Sequence, residues 1–358
     1  MSAADRAVVR AARAFEGKST ARGVWAIGST VALWAVVMWS MRQLGPGLAS
    51  LMIPATALLH VRLFVLQHDC GHRSLFASRT LNDQAGRFLS MFSGLGHDAW
   101  RVEHDWHHQV TGRMDRRGVD RFNSPMTTDE ARADPARAEA FVHKVKAWRI
   151  AWLGMLSLLV DRRRRIGFFV FRPTFVWRID KRFVVEGIWL ANLLQVLLHG
   201  ALIALFGPVV WLTAMLPGVV LGAMIGGLLF WVQHNFEGAV IRPGDRWSFV
   251  EAAIRGSSYV RAPAMLRWFL ADIGLHHVHH LNAHIPHYRL DEARLAIPAL
   301  AAVSPLSLAQ FRSAFTHHFF DPEREQRVPW EALGLEVQAP SVDSSLASSP
   351  LARTPVQG

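Results

Sequence analysis

Residues 24–41 read VWAIGSTVALWAVVMWSM, a run of eighteen residues without a charge. A Gly-Pro-Gly turn at residues 45–47 separates this run from a second apolar run at residues 48–66. Another pair of runs covers residues 183–206 and 208–232, joined at Gly207. A helix needs about 20 residues to cross the hydrocarbon of a bilayer. The sequence therefore predicts an all-α membrane protein in which four spans form two hairpins, at about residues 24–44, 47–67, 183–206 and 208–232.

The basic residues predict how these spans are oriented. All but two of the 39 Lys and Arg residues lie before residue 24, between residues 73 and 182, or after residue 233. Because Lys and Arg in short loops stay on the cytoplasmic side, we expect both termini and the middle segment to be cytoplasmic. Segments that flank spans then account for the net charge of +11, so nucleic acid is not expected as a partner.

Two arginines depart from this distribution. Arg42 lies at the outer end of the first hairpin, and Arg62 lies inside the second span, where a cation is costly. We expect Arg62 to snorkel to the membrane interface. The alternative is a contact with a lipid headgroup or with the surroundings of the functional site.

The other segments predict a single domain. Residues 1–23 form a basic cytoplasmic segment, and residues 24–338 form one domain, since no segment offers a separate core. The continuous apolar part of residues 141–160 is too short to span, so this segment is predicted to form an interfacial or re-entrant helix. Residues 166–177 are predicted to form another interfacial element. Residues 339–358 are rich in Ser, Pro and Ala and are predicted to be disordered.

Histidine spacing is the strongest functional signal in the chain. Eight of the eighteen histidines fall into three clusters, all on the predicted cytoplasmic side of the spans. Within each cluster the residues are three or four positions apart, so on a helix they share a face. The clusters are His68 and His72; His104, His107 and His108; and His276, His279 and His280.

These clusters predict two metal ions held by a helical cytoplasmic cap. Imidazole suits iron, zinc, copper or nickel, whereas a structural zinc has four ligands that are usually cysteines. The chain has one cysteine, Cys70, and more histidines than one ion needs. The nitrogen-rich set favours iron over calcium or magnesium. His234 follows the fourth span at the depth of His68 and is a ninth candidate ligand.

Acidic residues near the clusters are candidates for orienting the imidazoles. Asp69 and Asp105 lie beside the first and second clusters, and Asp272 lies four residues before His276. A carboxylate that accepts a hydrogen bond from a ligating histidine fixes its tautomer. The remaining histidines are not expected to be ligands; they are His60, His97, His143, His199, His277, His284, His287, His317 and His318.

The motifs HDCGH at 68–72, HDWHH at 104–108 and HHVHH at 276–280, together with four spans, resemble the membrane fatty acid desaturase superfamily over about residues 25–290. The runs HDCGHRSLF, TGRMDRRGVDRF and HHLNAHIPHYRL are similar to bacterial acyl-lipid desaturases of the Δ12, or omega-6, type. The resemblance implies a di-iron centre that uses O2 and two electrons to desaturate a lipid acyl chain. It implies ligand roles for the eight clustered histidines and His234, and it makes Asn235 a candidate for holding a water molecule.

The sequence also bears on partners and on alternatives. It has no glycine-rich nucleotide motif after a strand, no C-x-x-C pair and no H-P-G-G motif, so an external electron donor is implied. The basic face could attract an acidic ferredoxin. A hydroxylase on the same di-iron scaffold remains an alternative, because histidine spacing cannot separate the two reactions. A metal permease is a more distant alternative and would place its ligands near the bilayer midplane.

Overall fold

The computed structural model describes residues 1–117, 125–145 and 181–335. The chain is mainly helical within these ranges. Its helices are α1 (Ala3–Arg13), α2 (Thr20–Ala49), α3 (Ile53–Gly71), α4 (Arg79–Ser93), α5 (His97–Val110), α6 (Thr128–Ala133), α7 (Pro135–Lys144), α8 (Lys181–Phe206), α9 (Pro208–Val232), α10 (Phe249–Arg255), α11 (Ala264–Phe269), α12 (His276–Leu281), α13 (Leu290–Ala296), α14 (Pro298–Ala301) and α15 (Leu308–Ser313). Short 3₁₀ turns cover Ser50–Met52, Met114–Arg116, His287–Arg289 and Trp330–Leu333.

Three helical segments are long and apolar enough to cross a membrane: Thr20–Gly71, Glu186–Phe206 and Pro208–Val232. The first contains two of the predicted spans. It is interrupted at Gly45, whose φ of 71° and ψ of 171° are not helical, at the turn that the sequence predicts. Several large side chains on these helices are exposed, among them Trp25, Trp39 and Trp189. Such exposed apolar surface is typical of helices that face lipid.

A small sheet corrects the all-α prediction. Strand β1 (Met126–Thr127) pairs in parallel with β2 (Phe319–Asp321), which pairs antiparallel with β3 (Gln326–Val328). The sheet and α6 enclose a separate apolar cluster that includes Met126, Phe319 and Val328. The strands are two and three residues long, too short for an alternating pattern to predict them from the sequence.

The N-terminal helix α1 packs against α12 and α13. Val8, Val9 and Ala12 of α1 contact the apolar cluster formed by residues around α12 and α13, including Leu281 and Leu290. Protein therefore covers the apolar face of α1. The arginines of the helix, Arg6, Arg10 and Arg13, are exposed. Parts of three predictions lie outside the described residues, namely the interfacial segments at 146–160 and 166–177 and the disordered tail at 339–358.

The snorkelling prediction for Arg62 is wrong. The side chain is buried, with 4% exposure. Its Nε donates to the hydroxyl of Thr30 at 2.8 Å, and its Nη1 donates to the backbone carbonyl of Trp268. The guanidinium also stacks on the Trp268 ring at 3.9 Å. Arg62 therefore joins α2 and α3 to the segment that leads into the third histidine cluster.

Helices α3 and α9 approach each other closely at two glycines. A β-carbon on Gly222 would lie 2.8 Å from the carbonyl oxygen of Ala57, and one on Gly218 would lie 2.5 Å from the side chain of Thr56. Small residues at such crossings let two apolar helices pack through their backbones. This contact fixes the depth of the first histidine cluster, at the end of α3, relative to His234, just after α9.

We predict that Gly222→Ala destabilises the protein, because the added methyl would meet backbone that cannot move away. The expected cost is about 1–3 kcal/mol, seen as a lower melting temperature of the purified protein in detergent. Gly226→Ala is the matched control, since a β-carbon there would have nothing within 4 Å. Equal melting temperatures for the two variants would contradict the close contact.

Candidate metal centre

Nine histidines meet at one end of the apolar helices. His68 and His72 lie in the last turn of α3 and directly after it, and His234 lies two residues after α9. The other two clusters lie on α5 and α12. Eight of the nine residues are buried and His108 is partly buried. The structure therefore brings together all nine histidines that the sequence singles out.

The nine histidines form two groups, and within each group the ring nitrogens that could bind an ion lie within 4.8 Å of one another. We call them the five-histidine group and the four-histidine group. The five-histidine group contains His68, His72, His104, His108 and His279. The four-histidine group contains His107, His234, His276 and His280.

Helix geometry explains this division. In an α-helix each residue is rotated by about 100° from the residue before it. Residue i+4 therefore lies about 40° to one side of residue i, and residue i+3 lies about 60° to the other side. In α5, His104 and His108 accordingly belong to one group and His107 to the other. In α12, His276 and His280 share a group and His279 belongs to the other. Each H-x-x-H-H motif thus contributes two imidazoles to one group and one to the other.

Short separations between Nε2 atoms occur inside each group, and the rings of His108 and His280, which belong to different groups, stack at 4.1 Å. In the five-histidine group, the Nε2 of His108 is 3.0 Å from that of His104 and 3.1 Å from that of His279. In the four-histidine group, the Nε2 of His234 is 3.1 Å from that of His107 and 2.9 Å from that of His276. Two nitrogens at right angles around one ion, each about 2.1 Å away, would be about 3.0 Å apart. The spacing fits two metal ions.

Burial favours the neutral, metal-binding form of five of these imidazoles. Burial, reinforced by the neighbouring imidazoles, lowers the pKa of His104 and His108 well below the usual value. The same causes lower the pKa of His276, His279 and His280. The Nε2 atoms of His68 and His72 are buried and have no hydrogen-bond partner within the described residues. Unpartnered buried nitrogens are costly, and a bound cation would satisfy them.

The acidic residues contact partners that differ in part from those expected. Asp69 accepts a hydrogen bond from the Nδ1 of His68 at 3.4 Å, within its own cluster. Asp105 lies 3.9 Å from the Nδ1 of His72, so it faces the first cluster and not the second. Asn235 donates to the backbone carbonyl of Trp231 at 2.9 Å.

The expected contact between Asp272 and His276 is wrong. Asp272 binds Arg267 at 2.6 Å instead. Its φ of 53° and that of Ala271, 44°, lie in the left-handed region. The chain therefore turns between Asp272 and α12, and four residues of separation do not amount to one helical turn here.

The sequence analysis missed the role of His287. Both its backbone N–H and its Nδ1 lie against the second carboxylate oxygen of Asp69, at 3.1 Å and 2.8 Å. Asp69 is thus held between His68 and His287. His284 makes a related contact, since its Nδ1 donates to the carbonyl oxygen of His72 at 3.0 Å. The signal that could have pointed to both residues is their place in HHLNAHIPHYRL, directly after the third cluster.

The other histidines have partners away from the two groups. His60 accepts a hydrogen bond from the indole of Trp34 at 3.2 Å, and His199 accepts one from that of Trp211 at 3.1 Å. The ring of His97 packs on Gly86, where a β-carbon would lie 2.2 Å from it. These contacts are those of packed histidines, as expected for His60 and His199.

Comparison with known proteins agrees with this centre. A family model described as fatty acid desaturase matches residues 44–312. The chain is 29% identical over 280 residues to a protein named fatty acid desaturase from Bacillus subtilis, covering 76% of this chain and 74% of that protein. It is 28% identical over 237 residues to an sn-1 oleoyl-lipid 12-desaturase from Synechocystis, covering 63% and 62%. It is 26% identical over 286 residues to an sn-1 acyl-lipid omega-3 desaturase (ferredoxin) from Synechocystis, covering 78% and 75%.

The family match includes all nine histidines of the two groups. The alignment with the 12-desaturase covers less than two thirds of that protein, whereas those with the other two relatives cover about three quarters. The resemblance drawn from the three histidine motifs is confirmed, and so is the enzyme class, fatty acid desaturase. The chain belongs to the fatty acid desaturase family.

Proposed function

We propose that each histidine group holds one iron ion and that the pair serves the O2-dependent desaturation of a lipid acyl chain. The observation that carries this proposal is the division of the nine histidines into two groups, each with its ring nitrogens within 4.8 Å of one another and with Nε2 separations of 2.9–3.1 Å inside it. The donor set is all imidazole, which suits a transition metal. Asn235, next to His234, is our candidate for holding a water molecule beside the four-histidine group.

A bound iron pair supplies the oxidising power that protein side chains lack, using O2 and two electrons to remove two hydrogens from adjacent methylenes. The chain itself orients the imidazoles and keeps water away. Trp100 stacks on the ring of His104 at 4.3 Å. Phe230 lies 5.7 Å from His104 and 5.1 Å from His107. These aromatic walls give the centre the dry surroundings that a reactive oxidant needs.

The membrane arrangement that we propose has four spans in two hairpins, with both termini and the histidines on the cytoplasmic side. The contacts of Thr30 with Arg62 and of Trp34 with His60 support an antiparallel first pair. The helices α8 and α9, separated by Gly207 with φ 84°, would form the second pair. The clustering of Lys and Arg at one side supports the orientation, in a bacterial inner membrane. Residues 24–338 would form one domain.

The names of relatives support our proposals for the substrate and the electron donor. Relatives named acyl-lipid desaturases support an acyl chain carried by a membrane lipid. The name of one relative includes ferredoxin, which supports an acidic ferredoxin as the external donor, attracted by the net charge of +11. The acyl chain of the lipid would enter the centre from the bilayer, since the histidines lie at the ends of the apolar helices.

Cells that express the protein with a ferredoxin reductase system should accumulate a fatty acid lighter than a host fatty acid by two hydrogen atoms. Mass spectrometry of methyl esters measures this product and locates the bond after derivatisation. His104→Ala should abolish it, because the five-histidine group loses a ligand. His143→Ala is the control, since His143 is exposed and its ion-pair partner within the described residues is Glu139. A product heavier by one oxygen atom would indicate the hydroxylase instead.

We predict that His287→Ala weakens iron retention by roughly 10- to 100-fold, the usual effect of losing a partner outside the ligand set. Without the imidazole, Asp69 loses one of its two contacts with His287 and holds His68 less firmly. Iron per chain after dialysis against a graded chelator series measures the effect. His287→Asn, which keeps an N–H near the position of Nδ1, should restore most of the retention. Equal retention in the Ala variant and the wild type would contradict the role of His287.

A further inference from the structure

A cavity of about 350 Å³ lies beside the first histidine cluster. Three parts of the chain line it: the linker between α1 and α2, the segment that leads from α3 into α4, and the segment after α12. The lining residues are Glu16, Lys18, Arg73, Ala77, Arg79 and His284. The cavity is open to the outside, and no step of the proposed desaturation uses it.

The charge of the cavity is positive. Three of its lining residues are cations and one is a carboxylate. Glu16 accepts a hydrogen bond from Asn282 at 2.8 Å, and Arg73 is held by Asp83 at 3.2 Å and 3.0 Å. Lys18 and Arg79 have no ion-pair partner within the described residues. Cations that converge on one cavity attract an anion that can accept several charge-assisted hydrogen bonds, as a phosphate does.

The cavity lies where lipid headgroups would be. Lys18 precedes α2 by two residues, and Arg73 follows α3 by two residues. Both helices belong to the apolar segment Thr20–Gly71, so their ends mark the edge of the hydrocarbon. Basic residues at this level recognise anionic lipid headgroups. A cavity of this volume lies within the range of sites that bind small molecules.

Two residues that line the cavity adjoin His72, a member of the five-histidine group. Arg73 follows His72 in the chain, with a φ of 54°. His284, on the opposite wall, donates from Nδ1 to the carbonyl oxygen of His72 at 3.0 Å. A headgroup bound here would be anchored next to the five-histidine group, and its acyl chain would start from a fixed point relative to that group.

We propose that this cavity binds the phosphate of a glycerophospholipid headgroup, so that the enzyme acts on acyl chains while they are esterified in phospholipid. This inference rests on the proposed desaturation for its meaning. Binding of the lipid, however, requires neither O2 nor electrons.

The test measures phospholipid binding to the full-length, iron-loaded protein by native mass spectrometry from neutral detergent. The probes are phosphatidylglycerol and a neutral galactosyl diacylglycerol with the same acyl chains. The double variant Lys18→Glu/Arg79→Glu should bind phosphatidylglycerol at least roughly tenfold more weakly, since two cations that attract the anionic lipid are replaced by anions. Its binding of the galactolipid should not change. Arg10→Glu/Arg137→Glu makes the same change of charge at exposed positions outside the cavity.

An equal loss in both double variants would overturn the proposal, because the effect would then be one of net charge. Unchanged binding in the cavity variant would overturn it too, as would displacement of the lipid by acyl-CoA at equal concentration, which would assign the cavity to another phosphate carrier. Melting temperature and iron content establish that the variants are folded. If the cavity variant loses phosphatidylglycerol but the wild type forms no unsaturated product, the desaturation proposal fails and the cavity assignment stands.

Discussion

Nine imidazoles packed into a buried space are the constraint on which the rest of this structure depends. Their nitrogens approach to about 3 Å, and the Nε2 atoms of His68 and His72 have no other partner within the described residues. Buried polar atoms without partners are destabilising, so the arrangement calls for cations at two points. The 3.6-residue turn of the helix distributes the ligands, because H-x-x-H-H places its third histidine with the first and its second on the other side.

The surrounding helices set the positions of these imidazoles. The glycines of α9 bring it against α3, which aligns His234 with the first cluster. Arg62 joins α2 and α3 to the segment before the third cluster. The segment after α12 returns to the first cluster, where His284 and His287 contact His72 and Asp69. It also reaches the N-terminal segment, since the hydroxyl of Tyr288 accepts from the backbone N–H of Ser19 at 2.8 Å. The segments on either side of α12 are thus joined to α2 and α3 next to the histidines themselves.

The sequence predicted what depends on local periodicity. Apolar runs located the long helices, and the Gly45 turn marked their interruption. Histidine spacing identified eight of the nine residues that the structure brings together, and the position of His234 after the fourth predicted span identified the ninth. The sequence prediction failed at one local turn and where contacts join distant segments. Spacing suggests that Asp272 faces His276, but the chain turns at Ala271 and Asp272 binds Arg267. The pairing of His287 with Asp69 spans more than two hundred residues, and the division of the histidines into five and four requires the relative rotation of α5 and α12.

The positions of the metal ions test the account most directly. Anomalous diffraction at the iron edge, from crystals of the iron-loaded protein, should give two peaks. One should lie among His68, His72, His104, His108 and His279, and the other among His107, His234, His276 and His280. A single peak would contradict the account, and so would a pair of peaks in which His107 and His108 share one ion, because the helical division of each H-x-x-H-H motif would then be wrong.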